Sequence, residues 1–144
     1  MATEPAPFPV RPMRIALVLG ALVDLSGGIP LVFFPEATAR WIGTPVDATQ
    51  HFWPEYSSVF LFVLPVFYFI GATNPVRHIG IVIGAIMGRA MGALFYGGWF
   101  LWHFRERHWP LLVLSIMNLL FAFYYAGLLG PQGRTLIRGA LRTS

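Results

Sequence analysis

Apolar residues fall in four long stretches separated by clusters of polar and helix-breaking residues. Ile15 to Phe34 is apolar apart from Asp24, and about Phe52 to Ala72 carries one acid, Glu55, in its first turn. Ile79 to Phe104 encloses Arg89, and Trp109 to Leu129 has no charge. A membrane-crossing helix needs about 20 predominantly apolar residues. The pattern therefore predicts spans at 15–34, 52–72, 79–104 and 109–129. Short connections make neighbouring helices antiparallel, so the predicted fold is all-α, an up-down four-helix transmembrane bundle occupying 14–130. Asn74-Pro75 marks a turn, and Gly130-Pro131 suits a helix stop. Pro65 predicts a kink in the second span, and Gly27-Gly28-Ile29-Pro30 an irregular outer part of the first. Residues 1–13, with Pro5, Pro7, Pro9 and Pro12, read as a disordered cytoplasmic tail. They do not read as a cleaved signal peptide: Asp24 interrupts the apolar run and no A-x-A site follows. In 131–144, Arg134, Arg138 and Arg142 share one helical face beside Ile137 and Leu141. That is a short interfacial helix on an anionic leaflet, or a frayed basic tail that only sets topology.

Composition agrees with this. The 144 residues are 56% apolar and 16% aromatic, and only 11% are charged, against roughly 25% in an average soluble domain. Mean hydropathy is +0.64. So few charges do not cover a water-soluble globule. With neither cysteine nor lysine in the chain, disulfides, thiolate metal sites, cysteine nucleophiles and Schiff-base lysines are excluded.

Arginine sets the orientation. Arg11, Arg14, Arg77, Arg134, Arg138 and Arg142 share one side with a single acid, Glu4; Arg40, Arg105 and Arg107 share the other with Glu36, Asp47, Glu55 and Glu106. Both termini are thus expected in the cytoplasm. All five tryptophans fall on the outer side, as an interfacial belt does. The net charge of +4 then reflects topology rather than nucleic-acid binding. An all-arginine basic set with abundant Gly and Ala suits a GC-rich bacterial genome, and the expected location is the inner membrane.

The third span holds the most regular pattern, Gly80, Gly84, Gly88 and Gly92 at every fourth position. Small residues at this spacing form a groove that admits another backbone or a flat ligand. Three uses stay open: helix packing within the chain, contact with a second copy or partner subunit, and a seat for a lipid, quinone or pigment. On each, Gly84→Leu should be far worse than a leucine facing lipid. Two charges lie deep in the spans. Asp24 is ten residues past Arg14, about 15 Å in, and Arg89 twelve past Arg77, about 18 Å in, at 1.5 Å per residue. Asn118 reaches a similar level from the other side. A lone charge there costs about 2.5–3.5 kcal/mol, so an Asp24–Arg89 pair helped by Asn118 is the economical arrangement. It either glues the helices together or serves function, as a ligand-head site or an ion path; one titratable acid is little for a proton relay.

On the outer side, His51, Glu55, His103, Glu106 and His108 include two pairs at helix-face spacing. Such a cluster suits zinc or acid–base chemistry. Helix-end electrostatics explain it as well: Glu55 sits at a helix start and His103 at a helix end. No metal or cofactor is predicted. No histidine lies mid-span for haem, no G-x-S-x-G turn supports a triad, and no nucleotide-binding or calcium motif occurs.

Phe34-Pro35-Glu36, Trp41-Ile42-Gly43 and Asn74-Pro75-x-Arg77 resemble small four-span bacterial membrane proteins of the DoxX-like kind, many of them uncharacterised. The resemblance implies the architecture and carries no catalytic residue. Three functions remain. The first is a non-enzymatic accessory or packing subunit, or homo-oligomer, using the glycine row. The second is a binder or enzyme for a lipid-like molecule whose head meets Asp24 and Arg89 or the outer cluster. The third is an ion or proton conductor.

Overall fold

A computed structural model describes residues 8–42, 52–102 and 109–142, with backbone alone at 52–58, 131–132 and 134–142. These residues form five α-helices and no strand: α1 Val10–Phe33, α2 Pro35–Ile42, α3 Phe52–Thr73, α4 Ile79–Trp102 and α5 Trp109–Arg142. Three helical stretches are long and apolar enough to cross a membrane: α1, α4 and Trp109–Gly130 of α5. Val59–Thr73 of α3 forms a shorter apolar stretch. Large apolar side chains point outward along all of them, with Leu94 77% exposed and Trp102 86%. An apolar surface of this extent on separate helices marks a membrane protein.

Three features depart from the sequence reading. First, α1 begins at Val10, not Ile15, so helix replaces the expected disorder at 10–13. Pro12 is harmless there, because first-turn N–H groups have no intrahelical acceptor. Met13 is fully buried in the core and anchors this turn. Residues 1–7 lie outside the described set. Second, α1 runs unbroken through Gly27-Gly28-Ile29-Pro30 to Phe33. The glycine there serves packing: a Cβ on Gly28 would stand 3.0 Å from Leu61 Cβ, so α1 and α3 approach closely at this point. Third, a short helix, α2, follows immediately. Pro35 opens it, Glu36 is in its first turn and Arg40 in its last, each where the helix dipole favours it. Arg40 and Glu36 pair at 3.5 Å on its exposed face. The helix breaks at Gly130, where the sequence places a stop. That glycine takes φ +51°, and helical backbone resumes from 131 to 142 beyond the break.

The closest pairings are α1 with α3 and α4 with α5. Both are antiparallel. Along the first, Gly28 meets Leu61 and Leu17 approaches Gly71. At its end Arg14 Nη2 donates to the Thr73 carbonyl at 2.6 Å, capping the C-terminus of α3 with a cation. Along the second, Phe100 packs on Trp109 and Ser115 Oγ donates to the Ala93 carbonyl at 2.7 Å. Gly92 lies against Asn118. The predicted turn between α3 and α4 forms, with the Arg77 N–H donating to Asn74 Oδ1 at 3.1 Å. Beyond Gly71 against Ile81, beside that turn, α3 and α4 pack sparingly. Tyr125, fully buried, carries α5 to α1: its hydroxyl donates to the Ala16 carbonyl at 3.0 Å and lies on Gly20, where a Cβ would collide with it.

The glycine row of α4 is not its buried face. A Cβ on Gly80, Gly84 or Gly88 would meet nothing within 4 Å among the described residues; only Gly92 has a close neighbour. The adjoining row Ala85, Arg89 and Ala93 is buried instead. The severe cost expected of Gly84→Leu within the chain therefore has no steric basis. Gly20→Leu should lower the thermal stability of the purified protein by about 1–3 kcal/mol of overpacking, while Gly84→Leu stays within about 0.5 kcal/mol of the parent. Heating in detergent followed by size-exclusion chromatography measures both. A tolerated Gly20→Leu contradicts the α1–α5 contact.

Candidate functional site

Among the described residues, three polar or charged ones are buried between the helices: Asp24 at 6% exposure, Arg89 at 4% and Asn118 at 7%. They come from α1, α4 and α5, and they are in contact. Arg89 Nη2 lies 2.7 Å from Asp24 Oδ1 and donates to the Gly20 carbonyl at 2.9 Å. Arg89 Nη1 donates to Asn118 Oδ1 at 3.1 Å. Asn118 in turn donates from Nδ2 to the Leu114 carbonyl at 2.8 Å, which holds its amide in orientation. The guanidinium is also within cation–π range of two rings, Phe121 at 5.0 Å and Tyr68 at 5.7 Å from Cζ to centroid. One side chain thus touches α1, α3, α4 and α5. Its Nε is the exception: it is buried without a hydrogen-bond partner among the described residues.

Lysine would not do this. A planar guanidinium presents five N–H donors in a fixed fork and is more weakly hydrated than an ammonium. Here the fork spreads over a carboxylate, an amide and a backbone carbonyl, and its face meets rings. The attraction to Asp24 offsets the cost of holding both charges away from water, provided the remaining donors and acceptors are satisfied.

The same residues form part of the wall of a cavity of about 670 Å³. Along α1 its lining runs from Val23 to Phe34, about 16 Å at 1.5 Å per residue. Ala37, Thr38 and Trp41 of α2 contribute, as do Leu61, Leu64 and Tyr68 of α3, Gly88, Gly92 and Tyr96 of α4, and Leu114 and Met117 of α5. The lining is mostly apolar, with Asp24, Arg89, Asn118, Ser26, Thr38 and the two tyrosines as its polar part. The glycines at 88 and 92 leave that side without bulk. The sparse contact between α3 and α4 leaves the space that the cavity occupies.

Sequence reasoning does not single out Tyr96 or α2, and it marks Tyr68 only within the aromatic run Phe67-Tyr68-Phe69, whose residues suit lipid contact, the core or the flank of a pigment or quinone. The helical phase carries a signal for Tyr68: the flanking phenylalanines face outward and Tyr68 inward, 3% exposed, on the same face as Leu61 and Leu64. For α2 the signal was Pro35, Glu36 and Arg40 at the positions a short helix prefers. The outer cluster lies outside the described residues: His51, His103, Glu106 and His108 in full, and Glu55 except for its backbone in α3.

Arg89→Leu alone should cost about 3–5 kcal/mol, because it leaves Asp24 buried and unpaired. The double change Asp24→Leu, Arg89→Leu should recover most of that loss. Thermal unfolding of the single and double variants in one detergent decides it. A single variant as stable as the parent would show that the pair does not hold the helices.

No family model matches the chain, and no curated protein or solved structure matches it, so the residues of the cavity and its polar wall carry the functional reading by themselves.

Proposed function

We propose that this chain is a small integral membrane protein that binds a lipid-like molecule between its helices. The head lies at Asp24, Arg89 and Asn118, and the tail lies along the apolar wall. The carrying observation is the cavity of about 670 Å³ whose mostly apolar lining holds a buried, hydrogen-bonded charge pair. Ligand sites are commonly of roughly 300–1,000 Å³, mostly apolar, with a few convergent polar groups that orient the ligand. Intramembrane ionisable residues are by default functional candidates. In this reading α1, α3, α4 and α5 cross the bilayer as an up-down bundle with both termini in the cytoplasm, in a bacterial inner membrane, as the arginine distribution favours. The DoxX-like resemblance suits the same architecture. Binding, not catalysis, is the role proposed.

A filled cavity is the test. A bulky side chain at Gly88 has room, since a Cβ there meets nothing within 4 Å, and Gly88 lines the cavity. Purified protein in mild detergent should release a stoichiometric lipid-like molecule in native mass spectrometry, and Gly88→Phe should lose it while folding normally. Equal retention by both proteins would refute binding in this cavity.

One observation favours a second role, as a subunit of a larger assembly or a homo-oligomer. Gly80 and Gly84 are exposed on α4, with no described residue of the chain covering the space above them. Such rows let two membrane helices approach closely. The chain has no cysteine, so Gly84→Cys supplies a single reporter. Oxidative cross-linking of this variant in native membranes should trap a dimer or a partner adduct, and a Leu94→Cys control on the same helix should not.

A further inference from the structure

We infer that the head taken up by this cavity is uncharged and accepts a hydrogen bond, as a carbonyl or ester oxygen does, and that the site rejects both anionic and cationic heads on the same chain. This rests on the binding role proposed above and adds the class of ligand.

The wall of the cavity has an inventory. Asp24 and Arg89 cancel each other at 2.7 Å, so the polar part carries no net charge. A carboxylate or phosphate approaching the guanidinium stands beside the Asp24 carboxylate as a like charge. An ammonium approaching Asp24 stands beside the guanidinium. Either leaves one charge uncompensated at a depth where water is excluded and the interaction is strong. A neutral head has no such cost.

The polar wall has something to offer a neutral head. The hydroxyl-bearing residues Ser26, Thr38, Tyr68 and Tyr96 line the cavity beside Arg89, whose own Nε is buried beneath the wall. The other guanidinium nitrogens are engaged with Asp24, Gly20 and Asn118. A hydroxyl on an apolar wall is unfavourable when it lacks a partner, and a ligand oxygen that accepts from it removes the penalty. The feature that selects the ligand is therefore a set of neutral hydroxyl donors beside a charge-balanced pair. The chain of the ligand meets Leu61, Leu64, Leu114 and Met117, and the bare backbone at Gly88 and Gly92 makes room for it.

Three probes that share one ω-brominated undecyl chain separate the cases: the methyl ester, the carboxylate and the primary amine. Each is titrated into full-length protein in nanodiscs under conditions that keep the acid and the amine ionised. The readout is bromine quenching of tryptophan fluorescence, to which Trp41 on the cavity wall contributes. The part of the quenching abolished by Gly88→Phe belongs to the cavity. The ester should bind at least roughly tenfold more tightly than either ion. Asp24→Asn keeps an acceptor for Arg89 but leaves the site with one positive charge, so the preference should turn to the carboxylate. A parent protein that prefers the carboxylate or the amine overturns the neutral-head assignment and leaves the binding role standing. If Gly88→Phe abolishes no quenching by any probe, the binding role falls and this inference with it. The three-probe ranking on the parent protein decides the matter even if Asp24→Asn fails to fold.

Discussion

The arrangement depends on keeping one guanidinium content away from water. Arg89 cannot shed its charge, so every group around it answers to that charge: the Asp24 carboxylate, the Gly20 carbonyl, the Asn118 amide, and the faces of Phe121 and Tyr68. These partners belong to three helices other than its own, α1, α3 and α5. A rotation or slide of any one of them breaks a charge-assisted contact, and in lipid no water replaces it. Dispersion packing between apolar helices discriminates weakly among registers, because lipid tails are as apolar as leucine. The buried pair supplies what apolar packing lacks, a single level at which α1, α4 and α5 are aligned.

Glycine and tyrosine then adapt the helices to that level. Gly20 is bare where its carbonyl must reach Arg89 and where the Tyr125 hydroxyl passes to Ala16. Gly28 admits Leu61, drawing α3 against α1. Two close antiparallel pairs result, bridged by Arg89 and Tyr125. Because α3 and α4 are joined by a tight turn yet pack sparingly, the space between the pairs is not filled by the chain. The cavity is a consequence of this pairing, and α2 contributes Ala37, Thr38 and Trp41 to its lining.

Structural glue and ligand recognition are compatible in such a cluster. The contacts of Asp24, Asn118 and the Gly20 carbonyl satisfy most of the Arg89 fork, which is what a purely structural pair requires. A cluster built for stability alone would be expected to satisfy the last donor too, or to be sealed by apolar side chains. Here Nε is left over among the described residues, and the residue that bears it lines a cavity. Buried polar groups that lack partners are uncommon in folded proteins and call for an explanation.

The periodicity and charge of the chain alone determine the apolar helices, the turn at Asn74-Pro75, and the common depth of Asp24, Arg89 and Asn118, because hydrocarbon thickness and helix rise convert residue counts into depth. The start of α1 was shifted by the tolerance of a first turn for Pro12, and α2 was hidden because eight residues leave too little periodicity beside a longer apolar run. Which row of α4 faces inward was decided only by tertiary structure. Gly80, Gly84 and Gly88 form the more regular pattern, yet the inward row is Ala85, Arg89 and Ala93, because an ion pair outweighs close backbone approach in setting the rotation of the helix. The cavity was beyond the reach of the sequence for a similar reason. It is made of space left between helices, and no residue type marks an absence of contact.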